Sequence, residues 1–202
     1  GLFAILKNTW SDYALTLAGI STEKLSISVP TSFLRVGVLI DVLNQTGLTE
    51  DTPIVIGASD GCMANLGSFA THAGVAALTI GTSGAIRVAS TKPVFNFRAM
   101  TFNYRLDENT FICGGPINNG GVVLKWYAEN FLQKPLTSPE DYAALLRVLD
   151  ELPSSEGLIF LPYILGERAP LWNSETCGVF FGIHNLHKQA HFTRAVIEGI
   201  SM

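Results

Sequence analysis

Hydrophobic and polar positions change period several times along the chain, and each change predicts an element. Ser11 stands before a short stretch through Leu17 that Gly19 stops, which predicts a capped helix. Residues 21–33 lack a period and read as irregular. A second short helix is expected over 36–45, ended by Gly47 before the turn LTEDTP. After Pro53 the run IVIG (54–57) is continuously apolar, the pattern of a buried strand. Asp60 falls just beyond its carboxyl end, where ligands gather in α/β sheets. Small and apolar residues over 61–72 suit a helix closed by Gly74.

Strands are then expected at 75–80, 84–89, 101–106 and 110–114, the last two joined hairpin-fashion by Asp107-Glu108-Asn109. Asn118-Asn119-Gly120-Gly121 leads into a helix through about Leu132. A second helix spans 139–150 behind Ser138. GLIFLPYI (157–164) reads as another buried strand. Over 187–200, Phe192, Ala195, Val196 and Ile200 share one helical face, with His191, Arg194 and Glu198 beside or opposite it. There is no repeat and no low-complexity segment. Strands cluster first and alternate with helices later, which predicts a mixed-sheet α/β domain.

Composition narrows the partners. With 202 residues, 48% hydrophobic and 15% charged, the chain can build one sizeable domain, or one plus a piece of a second. A net charge of −4 argues against nucleic acid, and an anionic ligand would need local dipoles or individual Arg and Lys residues. Cys62, Cys113 and Cys177 are widely spaced without a CxxC pair, so reduced, buried thiols in a cytoplasmic protein are expected. No apolar run reaches the roughly 18–20 residues of a membrane span, and the start GLFAILKNTW lacks the pattern of a signal peptide. The chain starts at Gly and stops at Met202 directly after a helical pattern, which suggests a piece of something longer.

Candidate chemistry concentrates between Asp60 and Ser83. The apolar run VAALTI (75–80) breaks at GTSG (81–84), a tight turn whose N–H groups and hydroxyls can converge on phosphate oxygens. A carboxylate upstream can orient a hydroxyl against that phosphate. The plainer readings are an ordinary β-turn at 81–84 and a helix N-cap at Asp60. Gly120 and Gly121 open a helix whose positive end can face phosphate. Asn118 and Asn119 read as helix caps. Lys125, one turn further in, reads as a solvated lysine. Glu167-Arg168 reads as an ion pair fixing a loop or, alternatively, as Arg168 turned toward an anion, with Trp172 packing at the same loop. His187 and His191 are spaced i, i+4, but they lack the HExxH glutamate and a clear third ligand, so no metal site is expected. His72 is placed at a helix end. No GxSxG nucleophile elbow is present.

Several segments together resemble the FGGY family of carbohydrate kinases: PIVIGASDGCMANLG (53–67), ALTIGTSGAIR (77–87), GGPINNGGVVLKW (114–126), LPYILGERAPLWN (161–173) and GVFFGIHNLHKQAHFTRAVIEGIS (178–201). They occur in the family's order. TIGTSGAIR, NNGGVVLKW and GERAPLWN look most like gluconate kinases. The resemblance implies a ribonuclease-H-like fold of the actin/hexokinase type, with residues 1–70 closing an N-terminal kinase domain and 71–202 opening an incomplete C-terminal one. It implies Asp60 as the catalytic base and, with Gly61, as a substrate contact. Gly81, Thr82, Ser83, Gly120, Gly121 and Lys125 are then nucleotide-binding, and ATP with Mg2+ is implied. The implied activity is phosphorylation of a sugar or sugar acid, gluconate first, with xylulose, ribulose or glycerol as alternatives. A non-catalytic actin-like nucleotide-binding module and an ordinary domain without a ligand remain open beside it. The expected setting is the cytoplasm, away from membrane and nucleic acid, with a homodimer as one option.

Overall fold

The computed structural model describes residues 2–202. The chain begins with β1 (Phe3–Ala4) and β2 (Thr9–Trp10), paired antiparallel, with the Phe3 and Trp10 rings edge to face at 5.5 Å. Helix α1 (Asp12–Ala18) starts at Ser11, whose hydroxyl accepts the Ala14 N–H, and stops at a left-handed Gly19. A 3-10 turn at Thr22–Lys24 follows, then β3 (Leu34–Arg35), α2 (Ile40–Thr46), β4 (Ile54–Val55) and α3 (Asp60–Gly67). Next come β5 (Ala76–Ile80), β6 (Gly84–Ser90), β7 (Phe102–Arg105) and β8 (Phe111–Ile117). Helices α4 (Gly121–Asn130), α5 (Pro139–Leu146) and α6 (Val148–Glu151) precede β9 (Ile159–Leu161), β10 (Val179–Phe181) and α7 (Gln189–Ser201).

Four strands hydrogen-bond in the order β5-β6-β8-β7. In the β7–β8 hairpin Phe102 lies opposite Gly114 and Arg105 opposite Phe111, and Asp107 closes the turn by accepting the Asn109 N–H at 2.8 Å. β3 pairs with β4 and β9 with β10, both antiparallel.

The chain forms two compact units. The first comprises residues up to Ala77, Arg87–Phe95 and Phe102–Gly114. Its core is small: Cys62, Ala89, Leu106 and Ile112 are buried together, with Ala58 and Met63 against them. The second comprises Leu78–Ile86, Asn96–Thr101 and Gly115–Met202. There the amphipathic period of α7 has its effect. Ala195 and Val196 are buried with Val123, Tyr127, Leu158 and Phe160, while Phe192 and Ile200 flank them. The polar side of α7 is tied down as well. Arg194 pairs with Glu198 at 2.6 Å and donates to the carbonyls of Leu149 and Leu152, both at 3.1 Å, and Ser155 donates to Glu198 at 2.8 Å.

Several sequence expectations need correction. The helix expected over 61–72 ends at Gly67, because the Ser68 hydroxyl donates back to Ala64 O and Asn65 exchanges hydrogen bonds with Ala70. His72 therefore lies beyond the helix and not at its end. The helix expected from 36 begins at Ile40, since Gly37 is left-handed. The one expected over 139–150 breaks into two at Arg147. The segment 54–57 forms only a two-residue strand, and Ile54, Val55 and Ile56 are exposed, as are Leu78 and Ile80 of β5. A continuous apolar run reports what both faces of a strand are made of, not whether anything covers them. The strand expected over 157–164 shortens to β9, whose partner β10 lies in a segment that carries no strand period of its own. Cys62 and Cys113 are buried as expected, but Cys177 is exposed. No helix among the described residues is long and apolar enough to cross a membrane.

Candidate functional site

In the first unit the residues of interest meet at the start of α3. Ser59 is extended and makes no side-chain cap. Asp60 itself is exposed, and its Oδ1 accepts the Gly61 N–H at 2.7 Å, holding the carboxylate over the positive end of the helix. Gly61 is buried for a steric reason. A Cβ built there would sit 2.9 Å from Arg87 Nε and 3.3 Å from its Cζ, so the glycine makes room for a guanidinium from β6. Ala85 and Ala89, two residues to either side on that strand, are buried and small. Arg87 is thus a neighbour of Gly61 that the sequence motif contained without revealing.

In the second unit the turn at 81–83 packs onto the beginning of α4. Gly81, Thr82 and Ser83 are exposed, and the Gly81 N–H donates to Ser83 O at 2.8 Å. Their carbonyls face the helix: Gly121 N–H donates to Gly81 O at 2.7 Å and Val122 N–H to Thr82 O at 3.3 Å. A Cβ at Gly120 would lie 2.9 Å from Gly81 O and 3.0 Å from Ser83 O, and one at Gly121 2.9 Å from Gly81 O. Both glycines therefore permit close approach. The Gly121 N–H, expected from the sequence to be offered to phosphate, is already engaged by a backbone carbonyl. Lys125 lies one turn into α4 and is exposed.

A buried polar network holds the same corner from behind. Glu167, 4% exposed, accepts from Asn118 N–H at 2.6 Å and Arg168 N–H at 2.7 Å on Oε1, and from Asn119 Nδ2 at 2.9 Å on Oε2. Asn119, 1% exposed, also donates to Gly166 O at 2.6 Å and accepts the Leu165 N–H at 3.1 Å. Asn119 is therefore a staple between loops and not a helix cap; α4 is capped by Gly120 without any side chain. The expected Glu167–Arg168 ion pair is not formed. Arg168 donates Nη2 to Ile117 O at 2.7 Å instead. Trp172 is exposed and donates its indole N–H to Ala99 O at 2.9 Å. The Glu167–Asn119 pair was missed because its members are 48 residues apart. The one signal in the sequence was a carboxylate standing in an apolar stretch.

His184, His187 and His191 stabilise a turn. The first two rings lie 3.8 Å apart, and each Nδ1 accepts a backbone N–H, from Leu186, His184 and Lys188 respectively. Among the described residues no group of three or more His, Cys, Asp or Glu could hold a metal ion.

Comparison with known proteins agrees with this architecture. Residues 76–202 match the model of the C-terminal domain of the FGGY family of carbohydrate kinases. The gluconokinase of Bacillus subtilis (strain 168) is 41% identical over 197 residues, covering 95% of this chain and 38% of its own. The crystal structure of gluconate kinase from Lactobacillus acidophilus superposes with a TM-score of 0.88 at 36% identity, covering 98% of this chain and 40% of that one. The ligand-bound xylulose kinase of the same organism gives 0.88 at 35% identity with the same coverage. The chain thus spans about two fifths of the length of these relatives. Its fold is the actin/hexokinase-like α/β fold of those sugar kinases. The chain belongs to the FGGY family of carbohydrate kinases.

Proposed function

We propose that this chain is part of an ATP-dependent kinase that transfers the γ-phosphoryl group to a hydroxyl of a sugar acid, gluconate first. The observation that carries the reading is the 41% identity to a gluconokinase over 95% of the chain. Each unit, taken by itself, offers a fitting part. Asp60 is an exposed carboxylate held at a helix start, and the 81–83 turn is an exposed, tightly seated loop.

In the proposed reaction a terminal hydroxyl oxygen attacks the γ-phosphorus, the bond to the β–γ bridging oxygen breaks, and ADP leaves. The hydroxyl proton passes to the Asp60 carboxylate. Such transfer goes through a loose transition state, so orienting the hydroxyl matters more than deprotonating it early. Gly61 forms part of the substrate side with Asp60. Gly81, Thr82, Ser83 and Lys125 are assigned to the nucleotide phosphates, Thr82 foremost, with Gly120 and Gly121 placed beside them by letting the start of α4 approach the turn closely. Mg2+ travels with the nucleotide in this scheme. The described residues offer no cluster to hold it, and no step is assigned to it. The proposed setting is the cytoplasm, and a homodimer is one assembly to be checked by light scattering. A second reading, xylulose as the acceptor, is favoured by the 35% identity to a xylulose kinase at a TM-score of 0.88.

The test is ADP release by the complete gene product with gluconate, xylulose, ribulose and glycerol. Gluconate should give the highest kcat/KM; a signal from a ketopentose alone would move the assignment to the second reading. Asp60→Asn should lower kcat by about 100-fold or more while ATP still binds. Retention of full turnover by that variant would remove Asp60 as the base.

A further inference from the structure

We infer that Glu167 is a positioning residue for the nucleotide phosphates. It acts through Asn118 and Asn119 on the start of α4 and thereby on the 81–83 turn. The inference rests on the kinase reading above, and every contact in it lies within the second unit.

The chain of contacts is continuous. Both Glu167 oxygens are used, Oε1 by the N–H groups of Asn118 and Arg168, Oε2 by the Asn119 amide. The Asn119 side chain is also held on both ends by the backbone of Gly166 and Leu165. Residue 120 follows at once, with no room for even a methyl group against Gly81 and Ser83, and Gly121 donates to Gly81 O at 2.7 Å. A displacement of residues 118–119 is therefore passed to the turn through backbone contacts, which have no rotamer with which to absorb it. The turn is exposed and joins β5 to β6, and its Gly81 and Thr82 carbonyls meet the start of α4, so the buried network bears on where it stands.

The identity of the side chain matters because glutamine cannot replace it. Glu167→Gln puts an NH2 group either against the Asn119 amide NH2 or against the N–H groups of Asn118 and Arg168. Flipping Asn119 to accept would set its NH2 against the Leu165 N–H and its oxygen against Gly166 O. Every arrangement leaves a buried donor facing a donor.

The experiment is steady-state kinetics on the complete gene product, with ATP and sugar varied separately, for Glu167→Gln, Gly120→Ala and the double variant. Glu167→Gln should raise KM for ATP on the order of 10-fold and leave KM for the sugar within about 2-fold. Gly120→Ala presses on the same turn from the helix side and should give the same selective loss. The double variant should fall short of the product of the two, since both act on one element. A purely structural role predicts a lower Tm with both KM values moved alike, or with neither moved; either result overturns the inference, as does a fully multiplicative double variant. Should Glu167→Gln not accumulate as folded protein, Glu167→Asp carries the same test, because the shorter carboxylate cannot reach both Asn118 and Asn119. A parent with no ATP-dependent transfer to any sugar would sink the kinase reading itself. An active parent whose KM for ATP ignores Glu167 sinks only this inference.

Discussion

Replacing Gly199 by alanine sets two effects of opposite sign against each other, and the packing of α7 on β9 decides between them. Gly199 lies in the last turns of α7, where alanine is favoured over glycine by about 1 kcal/mol of helix propensity. A Cβ there would run into the carbonyl oxygen of Phe160, with Phe160 C at 3.3 Å and its Cβ at 3.5 Å. The obstacle is backbone, so no side-chain rotation relieves it. The helix must instead retreat from the strand by about 1 Å, a gap that forfeits up to half of the dispersion well for each contact it opens. Those contacts are among the best buried in the molecule: Ala195 and Val196 on the helix, Leu158 and Phe160 beneath it. Overpacking costs about 1–3 kcal/mol, and an obstacle made of backbone puts this site in the upper part of that range, at about 2–3 kcal/mol, above the propensity gain. The variant should therefore lose about 1–2 kcal/mol, or about 2–4 °C of Tm for each kcal/mol. Urea unfolding followed by far-UV circular dichroism should show a lower midpoint at an unchanged slope. Gly67→Ala is the control: it also lies in a helix, but its Cβ would meet nothing within 4 Å, so it should be neutral or stabilising. A Gly199→Ala protein as stable as the parent, or more so, would refute the close approach of α7 to β9.

Three further outcomes follow from individual side chains. Tyr127→Phe removes a buried hydroxyl contact to Thr193 of 3.3 Å, while Thr193 keeps its bond to Gln189 O, so the loss should stay near 1 kcal/mol; a loss above about 3 kcal/mol in the same urea titration would contradict it. Burial raises the pKa of Glu198, but hydrogen bonds from Arg194 and Ser155 and the charge of Arg194 outweigh it, so the carboxyl lies below its ordinary 4.5. A depressed folded value gives stability that is complete above pH 4.5 and is lost as pH falls through that lower value. The fall of Tm below pH 4.5 should accordingly be shallower in Glu198→Gln, and an unchanged slope would show that the linkage is absent. Among the thiols, Cys177 is exposed and should react with a disulfide reagent in the native protein. Cys62 and Cys113 should wait for unfolding, the latter with burial also raising its pKa; native labelling of more than one thiol per chain would be the contrary result.

Elements whose causes are local were legible in the sequence. Ser11 and Gly19 bound α1 where their types suggest, and Ser138 exchanges hydrogen bonds with Asp141 in a capping box at the start of α5. The α7 face of Phe192, Ala195, Val196 and Ile200 packs as its period implies. Elements that exist only through a partner were not legible. β10 has three residues and owes its strand conformation to β9, and β1 and β2 are two residues each around a left-handed Asn8. The stop at Gly67 depends on hydrogen bonds of Ser68 and Asn65 that periodicity does not encode.

The same distinction separates what each motif residue suggests by its type from how the fold engages it. Each motif residue was judged against its neighbours in sequence: glycines as phosphate donors, asparagines as caps, Glu167 and Arg168 as a pair. In the fold each is engaged by a distant segment. Gly120 and Gly121 are spacers against Gly81 and Ser83, and Asn119 joins two loops. Glu167 shows the consequence most plainly. Satisfied by three neutral N–H donors, its carboxylate needs no cation, so the adjacent guanidinium bonds to the Ile117 carbonyl instead. A side chain's capacity for hydrogen bonds can be read from its type. Its partner is chosen by the topology, and at this corner of the molecule the choice of partner decides what each motif residue does.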